Sequence, residues 1–234
     1  MGSLGRDLPS LAGLVTGLIR ERIITGEFKP NQQLKEDELC KLFGVSRPPI
    51  REAFKTLEAV GLVEHKPRRG VFVIEFTAKD VEEIYTIVAM LYKKTTEVTL
   101  ESVTDDFLED MSAHVNMMKI SAQDNPPNLR NYQSAHRDFH ETIMEMAGNE
   151  RMVMLDKQFR YQLDTISYNT YQNPDRLAIS LDYHNRILTA FRERDKDSCL
   201  RLMEEHIIAP MEYLINKFSV KNEHVDEKRQ IKTA

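Results

Sequence analysis

The sequence predicts a mostly α-helical chain in two parts: a small N-terminal unit of three helices and one β hairpin, then an all-helical antiparallel bundle. Three observations carry this. Apolar residues recur at three-and-four spacing through most of the chain. Strand-like runs occur only in "LVEH" and "VFVIEF", on either side of "KPRRG". From Ala78 onward, helical patterns are broken only by the short stretches "DNPPN", "AGNE", "QNPD" and "ERDKD".

In the first part, Leu11, Leu14, Val15, Leu18, Ile19, Arg22 and Ile23 mark an amphipathic helix ending at Gly26. "FKPNQQL" reads as a loop, and "KEDELCKLF" as a short helix stopped by Gly44. Ser46 is placed to cap the next helix. Pro48 and Pro49 fit its opening turn, because proline there gives up only amides that have no helical partner. Ala53, Phe54, Leu57 and Val60 form its expected buried face, with Gly61 as terminator. The hairpin follows, with a basic tip. In "EFTAKD" (75–80), Thr77 and Asp80 have the spacing of an N-cap and its third helical residue, which marks the junction. The later helices are expected over 78–101, 104–122, 129–147, 150–172, 175–193 and 196–218, with Gly148-Asn149 as a stop and Asp195 as an N-cap. Six helices joined by short loops form an antiparallel bundle.

Composition narrows the function classes. The 234 residues are 41% hydrophobic and 29% charged, enough for real cores. A net charge of −5 argues against a protein that coats nucleic acid indiscriminately but leaves room for a local basic surface. Residues 1–76 carry 12 Lys and Arg against 10 Asp and Glu, and the remainder 20 against 27, so the front part is the better partner for a polyanion. Cys40 and Cys199 form no Cys-x-x-Cys, which argues against a disulfide framework or thiolate zinc site. No apolar run approaches membrane-spanning length and "MGSLGRDLPS" has no signal pattern, so a cytoplasmic protein is expected.

Helix, helix, glycine turn, helix and hairpin is the order of a winged helix-turn-helix. Arg47, Arg51 and Lys55 are spaced by four and share one face of the third helix. Arginines at the start of such a helix can make paired bonds to guanine O6 and N7 in a major groove. Ser46 and the first free amides suit a phosphate, and Lys66, Arg68 and Arg69 on the hairpin can follow the DNA backbone or enter the minor groove. The stretch "LKEDELCKLFGVSRPPIREAFKTLEAVGLVEHKPRRGVFV" resembles the DNA-binding domain of the GntR family of bacterial transcription regulators. The resemblance covers residues 8–76 and implies operator contacts by Arg47, Arg51 and wing residues near Arg69 and Gly70. Asp37 stands where some members have a DNA-contacting arginine, so no contact is assigned to it.

In the second part, His136 and His140 of "HRDFH" project from one helical face, and His184 and His206 lie on two later helices. Bundle cores assemble metal sites from facing helices, and neutral imidazole is a common ligand. Taken singly, each is an ordinary buried or surface histidine, and spacing alone does not show that they converge. The pattern "HRDFHETIMEMAGNERM…YHNRILTAFRERD…MEEHI" resembles the FCD effector domain of FadR-like GntR regulators. That resemblance implies a divalent metal held by an Asp-x-x-x-His pair and two later histidines, matched here by His140, His184 and His206. His136 occupies the Asp position, exchanging a hard anionic oxygen for a softer neutral nitrogen, which favours zinc, nickel or copper over manganese or magnesium. Zinc or nickel is the expected cofactor.

Val88 and Tyr92 stand where many relatives carry an arginine and a glutamate, so Arg137 and Arg160 are the candidate replacements for clamping an effector, a small organic acid by resemblance. Residues 78–220 are thus expected to bind effector and metal. They are also expected to form the homodimer, because the front part has little apolar surface to spare. The expected function is a ligand-responsive repressor whose dimer binds palindromic operator DNA. The rival class is a metal-dependent hydrolase, against which "HRDFH" lacks the glutamate of a His-Glu-x-x-His motif. A purely structural metal, or none, is a third reading.

Overall fold

A computed structural model describes residues 10–168 and 170–232, with side chains to residue 218. The expected start of the first domain at residues 8 and 9 lies outside the described residues. The chain divides into two compact units, residues 1–75 and 76–234.

In the first unit, α1 (Leu11–Ile24), α2 (Glu36–Phe43) and α3 (Arg47–Ala59) pack with a three-stranded antiparallel sheet of β1 (Gln33–Leu34), β2 (Val63–Lys66) and β3 (Gly70–Val73). The strand order is β1-β3-β2, with Gln33 opposite Phe72 and Glu64 opposite Phe72 on the other edge. The loop expected at "FKPNQQL" therefore contains a strand, too short to show alternation in sequence. Ser10 caps α1 by accepting from the Gly13 amide at 3.0 Å, and Gly44, at φ 66°, ends α2 in the left-handed conformation that glycine adopts without strain.

Helix α1 buries Ala12, Val15, Ile19, Ile23 and Ile24, whereas Leu11, Leu14 and Leu18 of the predicted stripe stay 54%, 51% and 41% exposed. The three-and-four pattern held two stripes, and only the Val15–Ile19–Ile23 one faces the core. The front unit thus has apolar surface to spare, contrary to the expectation. On α3, Ile50, Ala53, Phe54 and Leu57 are buried, and Val60 is only half-buried.

The second unit is six helices: α4 (Ala78–Thr99), α5 (Asp105–Gln123), α6 (Leu129–Met146), α7 (Glu150–Tyr168), α8 (Pro174–Glu193) and α9 (Lys196–Lys232). Thr77 and Asp80 form the expected capping box: the Asp80 amide donates to Thr77 Oγ1 at 3.2 Å and the Thr77 amide to Asp80 Oδ2 at 2.7 Å. Asp195 caps α9 by accepting from the Ser198 amide at 3.1 Å. Helix α9 runs past the expected end at 218. The core gathers Tyr132, Phe139, Ile143 and Met144 of α6 with Met111 and Met118 of α5, Ile187 and Phe191 of α8, and Met203 of α9. This packing brings α6, α8 and α9 together around the histidines. No described helix is long and apolar enough to cross a membrane.

Candidate functional site

The first unit presents a basic face at the start of α3. Arg47, Arg51 and Lys55 are exposed on successive turns, as their spacing requires. Ser46 holds the N-cap position, yet its side chain makes no capping bond. The reason is covalent: the cap would accept from the second or third helical amide, and those residues are Pro48 and Pro49, which have none. The expected cluster of free amides for a phosphate is reduced by the same two residues. The arginines are partnered instead by α2. Arg47 Nη2 lies 2.9 Å from Asp37 Oδ1, and Arg51 Nε lies 2.9 Å from Glu36 Oε1.

The hairpin tip is a turn closed by the Arg69 amide donating to the Lys66 carbonyl at 3.0 Å. Pro67 takes its second position, and Arg68 its third at φ 60°, a conformation that turn type demands and that usually selects glycine. Gly70 has φ 97°, and a Cβ there would come within 3.1 Å of Gln33 Nε2, which donates to the Arg69 carbonyl at 2.6 Å. Lys66 and Arg69 lie over the Phe72 ring at 4.9 and 5.5 Å, so their charges are displayed from an aromatic base.

In the second unit the four predicted histidines meet. His136 and His140 come from α6, His184 from α8 and His206 from α9, and one donor nitrogen from each lies within 4.8 Å of all the others. His140 Nε2 is 3.1 Å from His206 Nε2 and 3.3 Å from His184 Nε2. Nitrogens bound about 2.1 Å from one ion sit roughly 3.0–3.4 Å apart, so the spacings of His140 to His206 and His184 fit a shared cation, while the 4.8 Å bound on the full set is wider than such a shell. His184 donates through Nδ1 to the Ser180 carbonyl at 2.6 Å, which turns the Nε2 lone pair toward the cluster. His140 Nδ1 is buried without a hydrogen-bond partner. Burial, and then the neighbouring imidazoles, hold His136, His140 and His206 well below the ordinary histidine range, and burial brings His184 to about 4. Neutral imidazoles whose ring nitrogens converge in this way could hold a late-transition ion.

A cavity of about 70 Å³ opens beside the cluster, lined by His136, His140 and His206 with Tyr85, Tyr92, Tyr171, Tyr183 and Arg176. No carboxylate appears among its described lining residues. Burial raises the phenols of Tyr85, Tyr92 and Tyr171, the last to about 12, so they remain protonated donors. Arg137 and Arg160, expected at this cavity, do not line it. Arg137 is held by Asp164 at 2.9 Å, and Arg160 by Asp156 and by Glu141, the latter at 2.7 Å. The guanidinium at the cavity is that of Arg176. It sits 4.8 Å above the Tyr213 ring, with its Nε buried and unpartnered. Only tertiary placement of the start of α8 reveals it. Tyr92, the departure noted on the first bundle helix, donates to Asp156 at 2.6 Å and sets its ring edge-on to His140.

Residues 11–73 match the family described as bacterial regulatory proteins, gntR family, and residues 83–209 match the FCD domain. The gluconate operon transcriptional repressor of Bacillus licheniformis is 26% identical over 196 residues, covering 80% of this chain and 78% of the relative. The HTH-type transcriptional repressor RspR of Escherichia coli is 22% identical over 190 residues, covering 81% and 82%. Among solved structures, E. coli McbR/YncC superposes with a TM-score of 0.78 at 19% identity over 90% of this chain and all of that one, which shows a shared fold.

Proposed function

The chain belongs to the gntR family of bacterial regulatory proteins and carries an FCD domain, and on that premise we propose that it is a metal- and ligand-responsive repressor acting as a homodimer on operator DNA. The family and the relatives above are transcriptional regulators, so the hydrolase reading is set aside. In this reading residues 11–73 bind DNA. Arg47 and Arg51 read base edges, Lys55 extends the basic stripe, and Ser46, Lys66, Arg68, Arg69 and Gly70 face the backbone. The second unit binds the metal and effector and, exposing Met90, Met117, Ile120 and Met154, supplies the dimer contacts.

The observation that carries the reading is the convergence of four neutral histidines, three of which line one small cavity. Zinc or nickel would be held by His136, His140, His184 and His206, and the bound ion would supply a positive centre for an anionic ligand. The chain's own residues favour the same ligand. Arg176 places a second positive charge on the cavity wall, the phenols of Tyr85 and Tyr171 stay protonated, and no carboxylate is among the described lining residues. Helix α4 brings Tyr85 and Tyr92 to the cavity and begins at Ala78, just after the junction, so a ligand that shifts α4 acts on the segment leading to the DNA-binding unit. It can bias DNA binding only as far as its affinity differs between the two states.

The test uses a duplex enriched by the full chain from a random-sequence pool. Binding is followed by fluorescence anisotropy with zinc-loaded and metal-stripped protein while a panel of small mono-, di- and tricarboxylates is titrated. At least one acid should weaken binding by tenfold or more with the loaded protein and fail to do so with the stripped one. Equal responses in the two states would remove the metal from the mechanism.

A further inference from the structure

We propose that Glu36 and Asp37 are positioning residues that hold the two reading arginines and thereby set guanine specificity; the inference rests on Arg47 and Arg51 being the base-reading residues. Both acids lie in the first turn of α2, which packs on α3. Arg51 Nε donates to Glu36 Oε1 and Oε2 at 2.9 and 3.0 Å, and Arg47 donates to Asp37 Oδ1 through Nε at 3.1 Å and Nη2 at 2.9 Å.

The edge of each guanidinium that is engaged decides the consequence. A guanidinium carries five N–H groups in a rigid plane. Contacts through Nε, or through Nε and one terminal nitrogen, occupy the side of that plane. One N–H on each terminal nitrogen still points forward, the pair that matches guanine O6 and N7. Both arginines are therefore oriented before DNA arrives without losing the donors that read it.

The carboxylates also disfavour the wrong partner. An exposed arginine can otherwise swing to a phosphate, a contact without sequence information. Here such a swing would leave an uncompensated carboxylate close to an anionic backbone. Stability explains little of the arrangement, since Arg47, Asp37 and Arg51 are 59%, 67% and 60% exposed, Glu36 is 32% exposed, and pairs so open to solvent contribute little to folding. Acids in a first helical turn do favour the helix dipole. Glu38 occupies the same turn and is paired with Lys35 rather than with an arginine of α3, so it supplies the control.

The experiment measures the full chain at one fixed salt concentration, on the pool-selected duplex and on an unrelated duplex of equal length, with the variants Glu36→Gln, Asp37→Asn and Glu38→Gln. All three lose one negative charge and should bind the unrelated duplex more tightly. Only Glu36→Gln and Asp37→Asn should lose specificity, with the ratio of the two affinities falling about fivefold, and replacement of a contacted guanine should cost them less than it costs the parent. Ratios that move no more than that of Glu38→Gln would overturn the proposal. Arg47→Ala and Arg51→Ala are measured alongside. If they keep the parent's affinity for the selected duplex, the recognition-helix reading itself has failed and the positioning role falls with it. If they lose affinity while the acid variants keep the ratio, only the positioning role is wrong.

Discussion

Acid should destabilise the metal-free second unit more steeply than its carboxylates alone require, and His184 allows the size to be worked out. Its folded pKa is about 4 against 6.5 for an ordinary histidine, because burial disfavours the imidazolium. Between those values the unfolded chain binds a proton that the folded chain refuses, so stability is present above pH 6.5 and is lost as the pH falls toward 4. At about pH 5 the loss from this one group is roughly 2 kcal/mol, and the limiting value for the whole shift is roughly 3.4 kcal/mol. His136, His140 and His206 are shifted in the same direction and add to it. The assay is urea unfolding of the metal-stripped chain, followed by far-ultraviolet circular dichroism at about pH 7.5 and pH 5, for the parent and for His184→Gln. Carboxylate titration is common to both proteins, so the parent should lose about 2 kcal/mol more than the variant. Equal losses would mean that His184 is not held neutral by burial, and the donor set described above would be wrong.

Other consequences follow from the same geometry. Arg47→Ala or Arg51→Ala should each cost roughly 1–3 kcal/mol on the selected duplex, read by anisotropy at fixed salt. Replacing His136 by Asp restores a hard anionic donor, so competitive metal titration should show the ion retained and preference moved toward manganese. Arg176→Met should leave metal content and DNA affinity near parental values while weakening the response to the effective carboxylate at least tenfold, about 1.4 kcal/mol. The full chain should sediment as a dimer at micromolar concentration; a monomer there would leave the two-fold reading of a palindromic operator without support.

The sequence was most informative where the physics is local. Most helix bounds, the capping box at Thr77 and Asp80, the stops at Gly44 and Gly148, and the basic spacing at 47, 51 and 55 depend on residues within a few positions of one another, whereas the ends expected at 172 and 218 do not hold, since α7 stops at Tyr168 and α9 runs to Lys232. What depends on distant partners was out of reach. Gln33 and Leu34 become a strand only because Phe72 and Val71 pair with them. Both stripes of α1 satisfy helical spacing, and only packing decides that Val15 and Ile19 are inside while Leu14 and Leu18 are not. Spacing alone does not show that Arg137 and Arg160 are engaged, yet Asp164, 27 residues on, holds Arg137, and Glu141 and Asp156 hold Arg160. The failed cap at Ser46 was legible in principle, since the two prolines that deny it an amide stand two and three residues later. His136 and His140 announced themselves by their spacing, but the arrival of His184 and His206 beside them is a property of the bundle.

The central claim, that these four histidines form a metal centre, is tested most directly by titrating the metal-stripped full chain with zinc and with nickel while following bound metal by elemental analysis after gel filtration. Proton competition should be weaker than for free imidazoles, because burial holds all four below the ordinary histidine range, His184 at about 4. The account predicts one tightly held ion per chain, lost in His140→Ala and kept at about pH 5.5. Binding of neither ion, or stoichiometric binding that survives His140→Ala, would contradict it.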